Sequence, residues 1–315
     1  MIKENVLKVL LIGLLISVSA NAATVFNNTA GDNDFNNAAN WDNGLPVKGG
    51  GHDGVINADA TMTASHEMVT AIDWHLVINA TVNTGANELQ LRSGSKGTNP
   101  IGTPGDLIVG DNATGVFNVD NGGTLDIAGI GADLIIGQNG GTGTVNFLSG
   151  SSSSLSKTIE ILNGSLNYAS DVNGLGHLGD ELVVGNNGIL SMGINADTDT
   201  HFVFGNRFDL ELATDSTLKL NFTGSASIGD SWTLMQTISS FNGVVDSSVD
   251  AGDGTGVFGN LIVNGLTDDQ QIQLIYNAPV AGDDGSLVAT VVPEPATLAL
   301  LGLGSLISLK RRRKN

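Results

Sequence analysis

A chain of 315 residues without cysteine excludes a disulfide framework and thiolate metal ligation, so packing and hydrogen bonds alone hold the fold. Its 43 glycines, 41% apolar and 5% aromatic residues exclude disorder and describe many short strands, joined by tight turns, around an aliphatic core. The net charge of −19 hides a sharper asymmetry: residues 23–292 carry six basic against 30 acidic residues, a net −24, and such a surface repels nucleic acid. It reads as a solvated acidic coat that keeps an exported protein soluble, with cation binding at turns as the alternative.

The first 22 residues have lysines at Lys3 and Lys8, an apolar run over 9–18, and small residues at Ala20 and Ala22. That three-part order is a secretory signal with signal-peptidase recognition at Ala20 and Ala22, too short for a stable span, and it places the mature start at Ala23.

The next stretch, DFNNAANWDNGLPVKGG over 34–50, puts Phe35 and Trp41 ahead of a Gly44-Leu45-Pro46 turn. A solenoid needs a cap, and these rings are expected to cover its first coil, with a sugar-stacking platform as the alternative. The stretch resembles the opening segment of exported β-helical proteins. Asp32-x-Asp34-x-Asn36 imitates the start of an EF-hand loop, but Asn37 replaces the turn glycine and Asn43 stands where a bidentate Glu belongs. An EF-hand is excluded; a looser calcium site stays open. His66-Glu67 begins a metalloprotease pattern that Thr70 breaks, and His52, His75, His177 and His201 lack metal-ligand spacing. No metal site and no catalytic residue is assigned.

Between residues 105 and 192 the chain repeats. GDLIVGDNATGVFNVDNGGTLDIAG from Gly105 aligns with ADLIIGQNGGTGTVNFLSGSSSSLS from Ala132, matching Asp106 with Asp133 and Gly110 with Gly137 at a spacing of 27. One extra residue then carries Gly115 to Gly143 and Asn118 to Asn146, and weaker copies start near 159 and 182. A period of this size marks a repeat architecture. The runs Leu107-Ile108-Val109 and Leu134-Ile135-Ile136 are continuously apolar, as parallel strands covered on both faces are, so the reading is all-β: a right-handed parallel β-helix, with an antiparallel β-sandwich as the alternative. Stacking would place Leu107 on Leu134 and let Asn163 or Asn186 form amide ladders at bends. The repeats resemble those of autotransporter-type passenger domains.

The repeat region with its cap is assigned to 23–200. Residues 201–291 hold further strand-like runs at 217–222, 231–237 and 271–276, a closing cap or a small β domain. The Asp250–Gly254 stretch, DAGDG, reads as a plain turn.

The chain closes on VPEPATLALLGLGSLISLKRRRKN, over 292–315. Pro293 and Pro295 lack amide donors and make a stiff, non-helical strip around Glu294. Residues 296–309 form a short apolar run, read as a single transmembrane helix, and Lys310, Arg311, Arg312, Arg313 and Lys314 flank it on the cytoplasmic side. The ordered triplet, apolar run and basic end resemble the PEP-CTERM sorting signal. That resemblance implies recognition by an exosortase-type membrane protease in a Gram-negative envelope: a cytoplasmic-membrane-anchored precursor, then transfer to the outer surface or extracellular matrix.

Two functions suit the passenger. One is a structural or adhesive surface protein, non-enzymatic and without cofactor, meeting extracellular polysaccharide. The other is a β-helical polysaccharide lyase or glycoside hydrolase using acids from adjacent coils, such as Asp106 and Asp133 about 4.8 Å apart. A uronate lyase needs Lys or Arg beside its carboxylates, and residues 100–200 contain Lys157 as their only Lys or Arg, which argues against one.

Overall fold

A computed structural model describes residues 23–46, 53–70, 75–93, 105–128, 132–155, 158–172, 176–178, 181–197, 202–204, 209–237, 259–277 and 286–294. Within these the protein is all-β, and the only helix is a single 3-10 turn at Ala38–Asn40. The first wall stacks Thr24–Phe26, Gly54–Ile56, Leu76–Ile78, Leu107–Asp111, Leu134–Gln138 and the leading part of Thr158–Tyr168. Every one of these pairings is parallel. The second wall stacks Ala60–Thr61, Thr81–Asn83, Thr114–Val119 and Thr142–Phe147 on the trailing part of Thr158–Tyr168, again in parallel. The long strands Thr158–Tyr168 and Glu181–Asn195 run through both walls and merge them into one 14-stranded sheet. A third wall of four parallel strands holds His66–Thr70, Glu88–Ser93, Thr124–Ala128 and Ser152–Leu155.

This is a large parallel sheet curled on itself, consistent with a β-helical solenoid. The strands at Leu107 and Leu134 pair parallel, so the sandwich alternative fails there. Antiparallel ladders among the described strands join only Ser231–Thr237, Ser286–Pro293 and Gln270–Asn277. The parallel stack continues past residue 200 through Asp209–Leu212, Thr217–Thr223 and Asn260–Asn264.

The core is a set of aliphatic columns. Leu76, Leu107, Leu134, Ile159 and Leu182 are in register and fully buried, as are Ile78, Val109, Ile136, Ile161 and Val184. On the second wall Phe117, Val145 and Leu166 form the equivalent column, and Phe147 stacks on Tyr168 with ring centroids 4.7 Å apart. Where the walls meet, Gly115, Gly143, Gly164 and Gly188 lie in register, and a Cβ at any of them would overlap a backbone carbonyl of a neighbouring coil. This close approach explains why glycine follows Thr or Asn at each corner. Corner residues Asn112 and Asn139 take left-handed backbone, with φ of 57° and 51°, as Asn tolerates.

The amino-terminal end is closed. Trp41 meets Phe26 and Phe35 edge to face, each at 5.3 Å between centroids, and its indole N–H donates to the Phe35 carbonyl at 2.9 Å. Phe35 and Trp41 are 1% and 4% exposed, so the rings cap the coil and are not offered for sugar stacking.

Candidate functional site

Asp106 and Asp133 were the acids considered for chemistry, and they belong to a row of coil-edge side chains turned to coil-to-coil bonding. Asp53 Oδ1 accepts from the His75 amide at 2.9 Å, and His75 Nδ1 accepts from the Asp106 amide at 3.1 Å. Asp106 Oδ1 accepts from the Asp133 amide at 3.0 Å, and Asp133 Oδ1 from the Thr158 amide at 3.1 Å. Each side chain therefore caps the N–H that opens the next strand of the first wall. The expected Asp106/Asp133 acid pair is a pair of successive caps.

An amide ladder exists, along the second wall and not at the expected bend position Asn163. Asn118 donates to Asn83 at 2.7 Å, Asn146 to Asn118 at 2.8 Å and Asn167 to Asn146 at 2.8 Å. Asn163 instead donates to the Gly141 carbonyl at 2.6 Å. The match of Asn118 with Asn146 was visible in the repeat. Asn83 and Asn167 were not, because their steps are 35 and 21 residues.

The Asp32 region is likewise self-contained. Asp32 accepts from Asn40 at 2.6 Å, from the Asp34 amide at 3.0 Å and from Asn37 at 2.7 Å, and these donors hold its carboxyl below the ordinary range, Asn40 contributing most. Asp34 accepts from Thr63 Oγ1 at 2.7 Å and the Asn36 amide at 2.9 Å. Among the described residues no group of three or more acids and histidines is placed to hold a metal ion. His66 is buried with Nε2 2.7 Å from the Pro46 carbonyl and its ring edge to face with Phe35; burial lowers its pKa, the carbonyl contact opposing in part. His52, His201 and the turn at 250–254 lie outside the described residues.

One polar row on the third wall escaped the sequence reading. Glu67, Gln90 and Asp126 are in register on successive coils, on the face opposite buried Leu89, Leu91, Leu125 and Ile127. Gln90 Nε2 donates to Asp126 Oδ2 at 3.1 Å and to Glu88 Oε1 at 3.0 Å. No motif announces this row, since its members come from three coils of unequal length.

At the other end, Ser286–Pro293 is the central strand of an antiparallel trio, between Ser231–Thr237 and Gln270–Asn277. Pro293 is opposite Gln270 in register, and the Glu294 amide donates to the Asp269 carbonyl at 3.1 Å. Ser231 pairs with Thr290 as the last ladder contact on the other side, so Pro293, which has no N–H, falls where no donor is demanded. The sheet thus runs directly into the first two residues of the Pro-Glu-Pro triplet, Pro293 and Glu294. Ala20, Ala22, Pro295, the apolar run at 296–309 and Lys310, Arg311, Arg312, Arg313 and Lys314 lie outside the described residues. Among the described residues no helix is long and apolar enough to cross a membrane.

No curated protein and no solved structure matches the chain. Residues 291–314 match the PEP-CTERM protein-sorting motif, which supports exosortase-type sorting of an exported protein to the cell envelope and recognition by an exosortase, itself a membrane protein.

Proposed function

We propose that the mature passenger is a non-catalytic structural or adhesive protein of the outer surface or extracellular matrix, built as a right-handed parallel β-helix. Residues 1–22 serve as its secretory signal, and 296–309 with the basic end hold the precursor in the cytoplasmic membrane until processing. Handedness follows the near-universal right-handed crossing of parallel strands. The observation that carries the functional reading is the use of the coil-edge side chains: Asp53, His75, Asp106 and Asp133 each hold the next coil's amide. Groups bound in this way extend a rod, whereas catalysis needs an unrepeated cluster directed at substrate. The passenger needs no cofactor in this reading, and its partner outside the cell is extracellular polysaccharide.

The row Glu67, Gln90, Asp126 favours the second reading, a lyase or glycoside hydrolase. Two ladder steps of about 4.8 Å put Glu67 and Asp126 roughly 9.6 Å apart, at the far limit for inverting carboxylates. Mature protein from the native envelope, incubated with pectate, alginate and neutral glycans with and without calcium, separates the two. Binding without turnover supports the structural role. Depolymerisation that vanishes in Asp126→Asn or Glu67→Gln establishes the enzyme.

A further inference from the structure

Two turns flank the point where the sheet passes into the sorting triplet. In one, the Ser227 amide donates to Asp230 Oδ2 at 2.7 Å and the Asp230 amide to the Ser227 carbonyl at 3.0 Å. In the other, the Thr267 amide donates to Gln270 Oε1 at 3.2 Å, Thr267 Oγ1 to Asp269 Oδ1 at 2.6 Å and the Gln270 amide to the Thr267 carbonyl at 3.0 Å. The first turn grips Val291 from one side: its amide donates to the Asp230 carbonyl and its carbonyl accepts from the Gly229 amide, both at 2.9 Å. The second holds Glu294 from the other side through the Asp269 carbonyl. Gln270 joins them, because its Nε2 donates to the Ala226 carbonyl at 2.7 Å, one residue before the first turn.

A protease binds its substrate as an accessible extended segment, so backbone already paired in a sheet must first be released before it is cut. Val291 is 1% exposed and bonded to the first turn, and Glu294 is bonded to the second. We propose that the passenger itself limits the processing point: the turns at 227–230 and 267–270 clamp residues 291–294, and the membrane protease cuts no earlier than the bond on the carboxyl side of Glu294. The proposal rests on the sorting reading above. In the cut, water adds to the scissile carbonyl and the C–N bond breaks; the passenger keeps a new terminal carboxylate and the departing segment an amine. Gln270, opposite Pro293 in the ladder, acts as a positioning residue through its bonds to the two turns and takes no part in the cut itself.

The test has two arms. The full chain, expressed in a host with an exosortase-type system, is purified after processing and its carboxyl terminus read by mass spectrometry. A terminus at Glu294 or beyond is expected; one at residue 293 or earlier overturns the clamp. Retention of all of 295–315, while another PEP-CTERM protein in that host is processed, overturns the sorting reading and the processing point with it. The second arm reads the clamp without the sorting enzyme, by digesting the detergent-solubilised full chain with proteinase K. The first carboxyl-terminal cut falls after residue 294 in the native chain. Losing the Gln270 side-chain bonds should raise cutting within 291–294 about fivefold to tenfold in Gln270→Ala, the effect of about one hydrogen bond on the frayed population. Asp268→Ala, in the same turn, leaves it unchanged. Equal cutting in native protein and Gln270→Ala, with matching circular dichroism, overturns the clamp, and so does a native first cut before residue 294.

Discussion

Gly143 sits where an added methyl group would overlap the Val109 carbonyl, and backbone cannot yield there without parting two coils. Gly143→Ala should cost about 1–3 kcal/mol in urea unfolding, whereas alanine at Gly140, around which nothing lies within 4 Å, meets only its positive φ of 83°. His66 makes a second residue-scale test. Its folded-state pKa is depressed below 6.5 by burial, so the folded protein binds fewer protons than the unfolded chain. The stability this gives is complete above the unfolded value and is lost as pH falls from there towards the folded value. His66→Gln keeps a donor for the Pro46 carbonyl but does not titrate. Comparing the two proteins at about pH 7.5 and about pH 5.5, the histidine protein should lose more stability on acidification; parallel losses would remove burial of the ring as the cause.

Strands and their columns set the next scale. The starts at 107, 134, 159 and 182 were legible because their aliphatic runs recur at nearly constant steps, and the ladder pairs these residues. The coils before them were not legible. Thr24, Gly54, Leu76 and Leu107 are equally in register, but the steps from 24 to 54, 54 to 76 and 76 to 107 are 30, 22 and 31 residues. Unequal turns hide a period that the strands keep. The amide ladder was misplaced for a related reason: composition pointed to Asn at bends, but in-strand Asn118 and Asn146 have side chains that project along the stack to equivalent residues. A column fails most at its middle. Leu134→Ala, between Leu107 and Ile159, should cost about 2–5 kcal/mol, and Asn118→Ala, which leaves Asn83 and Asn146 to solvent, about 1 kcal/mol. Chemical denaturation of both checks that apolar columns outweigh the amide ladder.

At the scale of the molecule, parallel stacking creates an obligation at each end, because a terminal coil offers unpaired backbone to another chain. The amino-terminal end meets it with the segment around Trp41. The Val25 amide donates to Asp42 Oδ1 at 2.7 Å, the Asp42 amide to the Val25 carbonyl at 3.1 Å, and the Asn27 amide to the Asn40 carbonyl at 2.8 Å, so the edge of the first wall is already bonded. Asn40 is itself buried, its Nδ2 donating to the Asp34 carbonyl at 2.9 Å, which ties this segment to the one that covers Thr61. Trp41 is the side chain common to both, through Phe26 and Phe35. Trp41→Ala should therefore do two things that a core truncation elsewhere does not. It should cost about 3–5 kcal/mol, and it should loosen the cover over the first strands and let chains pair edge to edge. The second effect separates a cap from ordinary core. Sedimentation of Trp41→Ala beside Leu134→Ala, at denaturant concentrations where both remain folded, should show association in the first alone. If both stay monomeric, the aromatic cluster is core packing and the edge is protected by its backbone bonds without it.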